Sequence, residues 1–133
     1  MSQRTPITAV VTGASSGIGL AITQAFLSRG DRVVGNGRSL DRLEAAATTL
    51  GAGAQFLPVE GDIGHPETAE RIFDEAERSF GRVDVLVNNA GIFMAKPIVD
   101  YTDEDLSSLL RTNLHGFFYA TRRAVRHMRG HGG

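Results

Sequence analysis

Eight residues, Thr12-Gly13-Ala14-Ser15-Ser16-Gly17-Ile18-Gly19, are suited to holding an anion with main chain alone. They come after the apolar run Ile7-Thr8-Ala9-Val10-Val11 and precede a helical pattern. A strand that turns through glycines into a helix presents first-turn N–H groups and the positive end of the helix dipole to a negative group. Residues without Cβ allow the backbone to approach a pyrophosphate closely. Gly13, Ser15, Ser16, Gly17, Ile18 and Gly19 are therefore candidate cofactor contacts. A surface turn rich in glycine is the alternative, and the strand before and helix after argue against it.

Four further positions carry chemistry. Dinucleotide sites often place an acid about 20 residues beyond the glycines, to hold the adenosine ribose 2′-hydroxyl. Here that place reads Gly35-Asn36-Gly37-Arg38-Ser39, with no acid. The Arg38 guanidinium suits a 2′-phosphate instead, which points to NADP rather than NAD. A solvated loop arginine is the other reading. Asp62-Ile63 comes after a strand at the edge where open α/β sheets bind ligands, and its carboxylate suits an adenine amino group or a plain turn equally. Asn88-Asn89-Ala90-Gly91 suits a tight turn and also a ribose near the glycine loop. Asn113 falls on an apolar helical stripe, seven residues after Leu106 and four before Phe117. A buried amide there needs partners, structural or catalytic. Tyr119 and Arg123 share a helix face in the manner of an acid–base pair, but nothing converges on them and a structural role is favoured. The four histidines are scattered without metal-ligand spacing.

The elements that must position these residues alternate. Strands are expected at Ile7–Thr12, Arg32–Asn36, Gln55–Val59 and Val83–Val87. Helices are expected over Gly17–Ser28, with the stripe Ile18, Ala21, Ile22, Ala25 and Phe26, and over Leu40–Leu50, capped by Ser39. A third begins at Pro66, with the stripe Ala69, Ile72, Phe73, Ala76 and Phe80, and closes at Gly81. Thr102-x-x-Asp105 opens a long helix to Arg129 with the stripe Leu106, Leu109, Leu110, Leu114, Phe117, Thr121, Val125 and Met128. Gly130-His131-Gly132-Gly133 ends it. Strand–helix alternation implies parallel strands and right-handed crossovers. Pro58 cannot donate to a ladder, so the third strand belongs at an edge. The expected fold is an α/β, Rossmann-type doubly wound parallel sheet in the order 3-2-1-4.

Bulk composition narrows the function. The 133 residues carry a net charge of −1, which offers nothing to nucleic acid or an anionic membrane surface. No apolar run approaches the roughly 20 residues of a membrane span. Met1 to Pro6 lacks the apolar stretch of a signal peptide. Cysteine is absent, which excludes disulfides and thiolate chemistry and suits a reducing cytoplasm.

Together these motifs resemble the short-chain dehydrogenase/reductase family. Thr12-Gly13-x-x-x-Gly17-x-Gly19 matches its TGxxxGxG pattern and Asn88-Asn89-Ala90-Gly91 its NNAG. Asp62 matches its adenine-contacting aspartate, and Asn113 the asparagine of its catalytic tetrad. The resemblance implies hydride transfer between NADP(H), with NAD the alternative, and an alcohol or carbonyl substrate. It implies cofactor contacts at Asn89, Ala90, Gly91, Asp62 and Ile63, and a homo-oligomer built on the long helix, with Phe118, Arg122 and Arg126 at the interface. NADP-preferring members often carry a basic residue where this chain has Ser16. The family also uses a Ser and a Tyr-x-x-x-Lys beyond the asparagine, and these 133 residues contain neither arrangement; Lys96 is the one lysine. Residues 1–133 are accordingly expected to be the N-terminal, dinucleotide-binding part of one Rossmann-type domain, a fragment ending before the fifth strand and inactive alone. A non-enzymatic NADP-binding or interaction module is the alternative.

Overall fold

The computed structural model describes residues 4–131; Met1 to Gln3, Gly132 and Gly133 lie outside the described residues. Its centre is β1 (Thr8–Thr12), in which all five residues are buried. A strand covered on both faces must read as a continuous apolar run, and this one nearly does. After it come α1 (Gly17–Ser28), β2 (Arg32–Gly37), α2 (Leu40–Leu50), β3 (Phe56–Glu60), α3 (Pro66–Phe80) and β4 (Val85–Val87). All pairings are parallel and the order is β3-β2-β1-β4, the order expected from the sequence. Pro58 lies in the edge strand β3, in register with Gly35. The register places Val10 beside Val34 and Ala9 beside Val33.

Alternation along the strands divides the core in two. Val10, Val34 and Val59 pack with Ile72, Phe73 and Ala76 of α3 and with Ala120 and Ala124 farther along the chain. Val11 and Val33 face the other way, onto Leu43, Phe56 and the half-buried Ile22 and Phe26. Helix ends obey local chemistry. Ser39 Oγ accepts from the Arg42 N–H at 3.3 Å, capping α2. Pro66 occupies the first turn of α3, and Gly81 closes it with a φ of +87°.

Two stripes differ from expectation. In α1 the buried residues are Gly19 and Thr23, while Ile18 is 73% exposed and Ala21 and Ala25 face solvent. The helix packs through a glycine at its start, so its buried line is shifted from the one drawn through the larger residues. The long helix is not continuous. The capping box of Thr102 and Asp105 forms and starts α4 (Asp103–Leu110). A π turn at Arg111–His115 then leads into α5 (Gly116–Arg129). A π turn is wound more loosely than an α turn, and it rotates the faces of the helix beyond it. The buried positions of α5 are Gly116, Ala120, Arg123, Ala124 and His127, so Phe117 and Val125 of the expected stripe are exposed. Leu106, Leu110 and Leu114 are also exposed.

Arg123 is the unexpected member of that buried face. Its guanidinium lies over the Phe73 ring and bonds Glu70, Asp74 and Glu77 of α3. His127 accepts the Val83 N–H on Nε2 at 2.9 Å, which leaves its ring proton on Nδ1, 2.7 Å from Glu77 Oε1. Tyr119 takes no part; it rests against His115 and Phe118. The structural reading of Tyr119 and Arg123 therefore holds.

Candidate active site

The carboxyl ends of β1, β2 and β3 open onto one cavity of about 190 Å³. Gly13, Ser15, Arg38, Asp62, Ile63, Ala90 and Gly91 line it, joined by Asn36, Gly37, Ser39, Arg42, Gly61, Ile92 and Thr112. Seven of the residues singled out from sequence thus meet in one place. Ser16, Gly17, Ile18, Gly19, Asn89 and Asn113 do not line this cavity.

The glycines divide the work of the turn. Gly13 has a φ of +67°, and a Cβ there would come within 3.0 Å of the Ala90 backbone. Gly19 has no room at all: a Cβ would stand 2.0 Å from the Gly13 carbonyl oxygen. These two let α1 seat tightly against the strand ends. Gly17 differs, with a φ of +57° and open space where a Cβ would stand. It leaves the first turn of α1 bare on its outer side. No side chain caps that helix; Ser16 makes no capping bond and the first turn holds no acid. Unpartnered N–H groups facing open space at a glycine turn are what a pyrophosphate needs. On this observation the residues fit a dinucleotide.

Two asparagines and a threonine hold the loops. Thr12 Oγ1 accepts the N–H groups of Asn89 and Ala90 at 3.1 and 3.0 Å. Asn89 Nδ2 donates to the Gly13 carbonyl at 3.0 Å. The β4 loop is therefore bolted to the glycine loop. Asn88 turns away and bonds Thr121. The Asn36 amide donates to the Val59 and Gly61 carbonyls across β3, so the polar side chain just before Gly37, where the acid is missing, is consumed by the sheet. Asp62 Oδ1 accepts the Gly64 N–H at 2.8 Å, a turn bond, while its side chain stays 30% exposed. The turn reading of Asp62 describes this bond.

Asn113 requires a correction. It lies in the π turn and is exposed rather than buried on an apolar stripe. Its amide is nonetheless bonded at both ends: Oδ1 accepts the Ile92 N–H at 2.8 Å and Nδ2 donates to the Ile92 carbonyl at 2.9 Å. A stripe with 3.6 residues per turn does not hold through a segment that is wound more loosely. Gly116, next in the chain after the π turn, approaches Ile63, whose Cγ2 would lie 2.7 Å from an added Cβ.

Thr12, Asn36, Ser39, Arg42 and Thr112 were not marked from sequence as site residues. Thr12 had a signal, its place directly before Gly13. Arg42 had a weaker one, a helix turn from Arg38.

A family model of the short chain dehydrogenases matches residues 7–133. The chain belongs to the short-chain dehydrogenase family. Among curated members, an NADP-dependent (R)-specific alcohol dehydrogenase of Lentilactobacillus kefiri is 40% identical over 93% of this chain and 49% of its own length. A 3-oxoacyl-[acyl-carrier-protein] reductase of Escherichia coli is 35% identical over 90% and 48%. The L-sorbose reductase of Gluconobacter frateurii, solved with NADPH and L-sorbose, superposes with a TM-score of 0.88 at 36% identity, over 96% of this chain and 49% of that one. The chain spans about half the length of these short-chain dehydrogenases. No helix among the described residues is long and apolar enough to cross a membrane.

Proposed function

We propose that this chain is the cofactor-binding half of an NADP(H)-dependent oxidoreductase acting on an alcohol or carbonyl compound. The carrying observation is the cavity at the carboxyl edge of a parallel sheet, where Gly13 and Ser15 of the loop leading into the uncapped α1 meet Arg38, Asp62 and Ala90-Gly91. The NADP-dependent alcohol dehydrogenase and the NADPH-bound sorbose reductase support it. A bound nicotinamide dinucleotide would supply or accept the hydride.

The chain's own residues bind and orient. The N–H groups around Ser15, Ser16, Gly17, Ile18 and Gly19 would hold the pyrophosphate. Arg38 would hold the 2′-phosphate of adenosine, Asp62 and Ile63 the adenine, and Asn89, Ala90 and Gly91 the nicotinamide ribose. Asn113, whose amide grips both polar groups of the Ile92 backbone, fixes the wall after Gly91. It acts on the reaction through that loop, as a positioning residue.

No Tyr-x-x-x-Lys occurs in these 133 residues, so the chain by itself binds cofactor and does not turn it over. General acid–base catalysis is worth about 10²–10⁴-fold, and a hydride step without its proton donor loses that factor. Absence of cysteine suits a reducing cytoplasm.

The test is a titration of the protein with NADPH and NADH, monitored by intrinsic or cofactor fluorescence. NADPH is expected to bind more tightly, and Arg38→Ala to bring the two affinities together. An unchanged ratio in Arg38→Ala refutes the NADP assignment, and failure of both cofactors to bind refutes the dinucleotide site.

A further inference from the structure

We infer that Arg42 is a second cofactor-specificity residue, which joins Arg38 to grip a phosphate monoester on the adenosine ribose. The inference rests on reading this cavity as a dinucleotide site.

Both arginines line the same cavity, Arg38 from the end of β2 and Arg42 from the first turn of α2. Ser39 stands between them and caps α2 through the Arg42 N–H, so the cap itself fixes the backbone that carries Arg42. Among the described residues, Arg4, Arg29, Arg82, Arg123 and Arg126 pair with carboxylates, and Arg38 and Arg42, like Arg32, Arg78, Arg111, Arg122 and Arg129, do not. Among the described residues, no carboxylate lies within ion-pair distance of Arg38 or Arg42. Arg71, across β3, is occupied by the Glu60 carbonyl. The facing wall offers no counter-charge from β2, since Asn36 is spent on β3 and Gly37 has no side chain. Asp62 is the carboxylate of the cavity, and it is engaged by the Gly64 N–H and by His65.

Charge decides what such a pair would hold. A phosphate monoester carries about −1.5 to −2 at neutral pH, more than one guanidinium neutralises. Two guanidiniums match it, each with a planar fork of donors. A free 2′-hydroxyl is neutral and gains little from the second cation. Arg42 should therefore contribute to discrimination between the phosphorylated and unphosphorylated nucleotide, and not to binding in general.

Calorimetric titration of the protein with adenosine 2′,5′-bisphosphate and with 5′-AMP reads this without any turnover. Arg42→Gln is expected to weaken the bisphosphate about tenfold, the worth of one charge-assisted hydrogen bond, and to leave 5′-AMP within about twofold. Arg42→Lys should recover part of the loss, because charge is restored without the fork. If Arg42→Gln leaves the bisphosphate unaffected while Arg38→Ala weakens it, the role of Arg42 is refuted and the dinucleotide site stands. Equal losses for both nucleotides would refute it too, as a general effect on α2. If the unsubstituted protein binds neither nucleotide, the dinucleotide reading fails with it.

Discussion

Thr12 shows how one hydroxyl can organise a cavity that it does not line. Its Oγ1 accepts two consecutive N–H groups, those of Asn89 and Ala90. An unsatisfied buried donor costs about 1–3 kcal/mol, so loss of this acceptor releases the β4 loop from the glycine loop. Thr12→Val keeps the shape and removes the acceptor. It is expected to lower the melting temperature and to weaken NADPH by about tenfold or more, while Thr12→Ser retains most of both. Thermal melts paired with cofactor titration check this; an unaltered affinity in Thr12→Val would show that the two loops hold each other by other means.

Among the elements, the junction of the π turn and α5 is the most consequential. The π turn presents Asn113 to Ile92, and Gly116 immediately afterwards lets α5 press onto Ile63. Ile63 is buried and also lines the cavity, so helix packing and site geometry share one side chain. Gly116→Ala places a Cβ 2.7 Å from Ile63 Cγ2 and 3.2 Å from its carbonyl oxygen. Overpacking of this kind costs about 1–3 kcal/mol. The expected result is a lower melting temperature together with weaker adenine-nucleotide affinity, measured on one sample by denaturation and titration. Alanine is the better helix former, so a gain in stability would show that α5 can slide without cost.

For the molecule as a whole, acid sensitivity and surface pattern are the testable properties. Burial raises the Asp31 carboxyl, but the Ile7 N–H and the Arg4 guanidinium outweigh it and hold it below its ordinary 3.8. Burial likewise raises Glu77, and bonds from Arg123 and His127 bring it below 4.5. A carboxyl lowered in the folded state stabilises above its ordinary value, and that stability is lost as pH falls through the native value. The melting temperature should therefore be flat from about pH 6 to 8 and fall below about pH 4.5. Asp31→Asn and Glu77→Gln should each flatten the acid limb; a limb unchanged in both variants would place the acid sensitivity elsewhere. The surface carries Leu106, Leu110, Leu114, Phe117, Phe118 and Val125 in exposed positions along α4, the π turn and α5. We propose that it includes a contact between copies of the protein, with Phe118 and Arg122 on the exposed side of α5. Sedimentation of the protein at micromolar concentration should give a species larger than one chain, and a monomer would refute it.

Sequence by itself determined the strand order, the parallel pairing and the location of the cavity. Each comes from local rules: an apolar run of strand length, glycines at a strand–helix turn, a proline barred from ladder interiors. These are visible without knowing what packs on what, and Gly13 and Arg38 were legible for that reason, while Asp62 and Ala90 stood apart from ordinary turns only through the family resemblance. Tertiary structure alone decided the rest. The π turn carries Asn113 to Ile92, residues 21 apart, and no periodicity encodes it. It turned the stripe of α5 so that Arg123 and His127 point inward, where three α3 carboxylates and the Val83 N–H satisfy them. Polar residues can form a buried face when partners come from a distant element, and hydrophobic periodicity cannot foresee partners. Arg42 became a site residue in the same way, when the α2 cap brought it to the wall that Arg38 already lined.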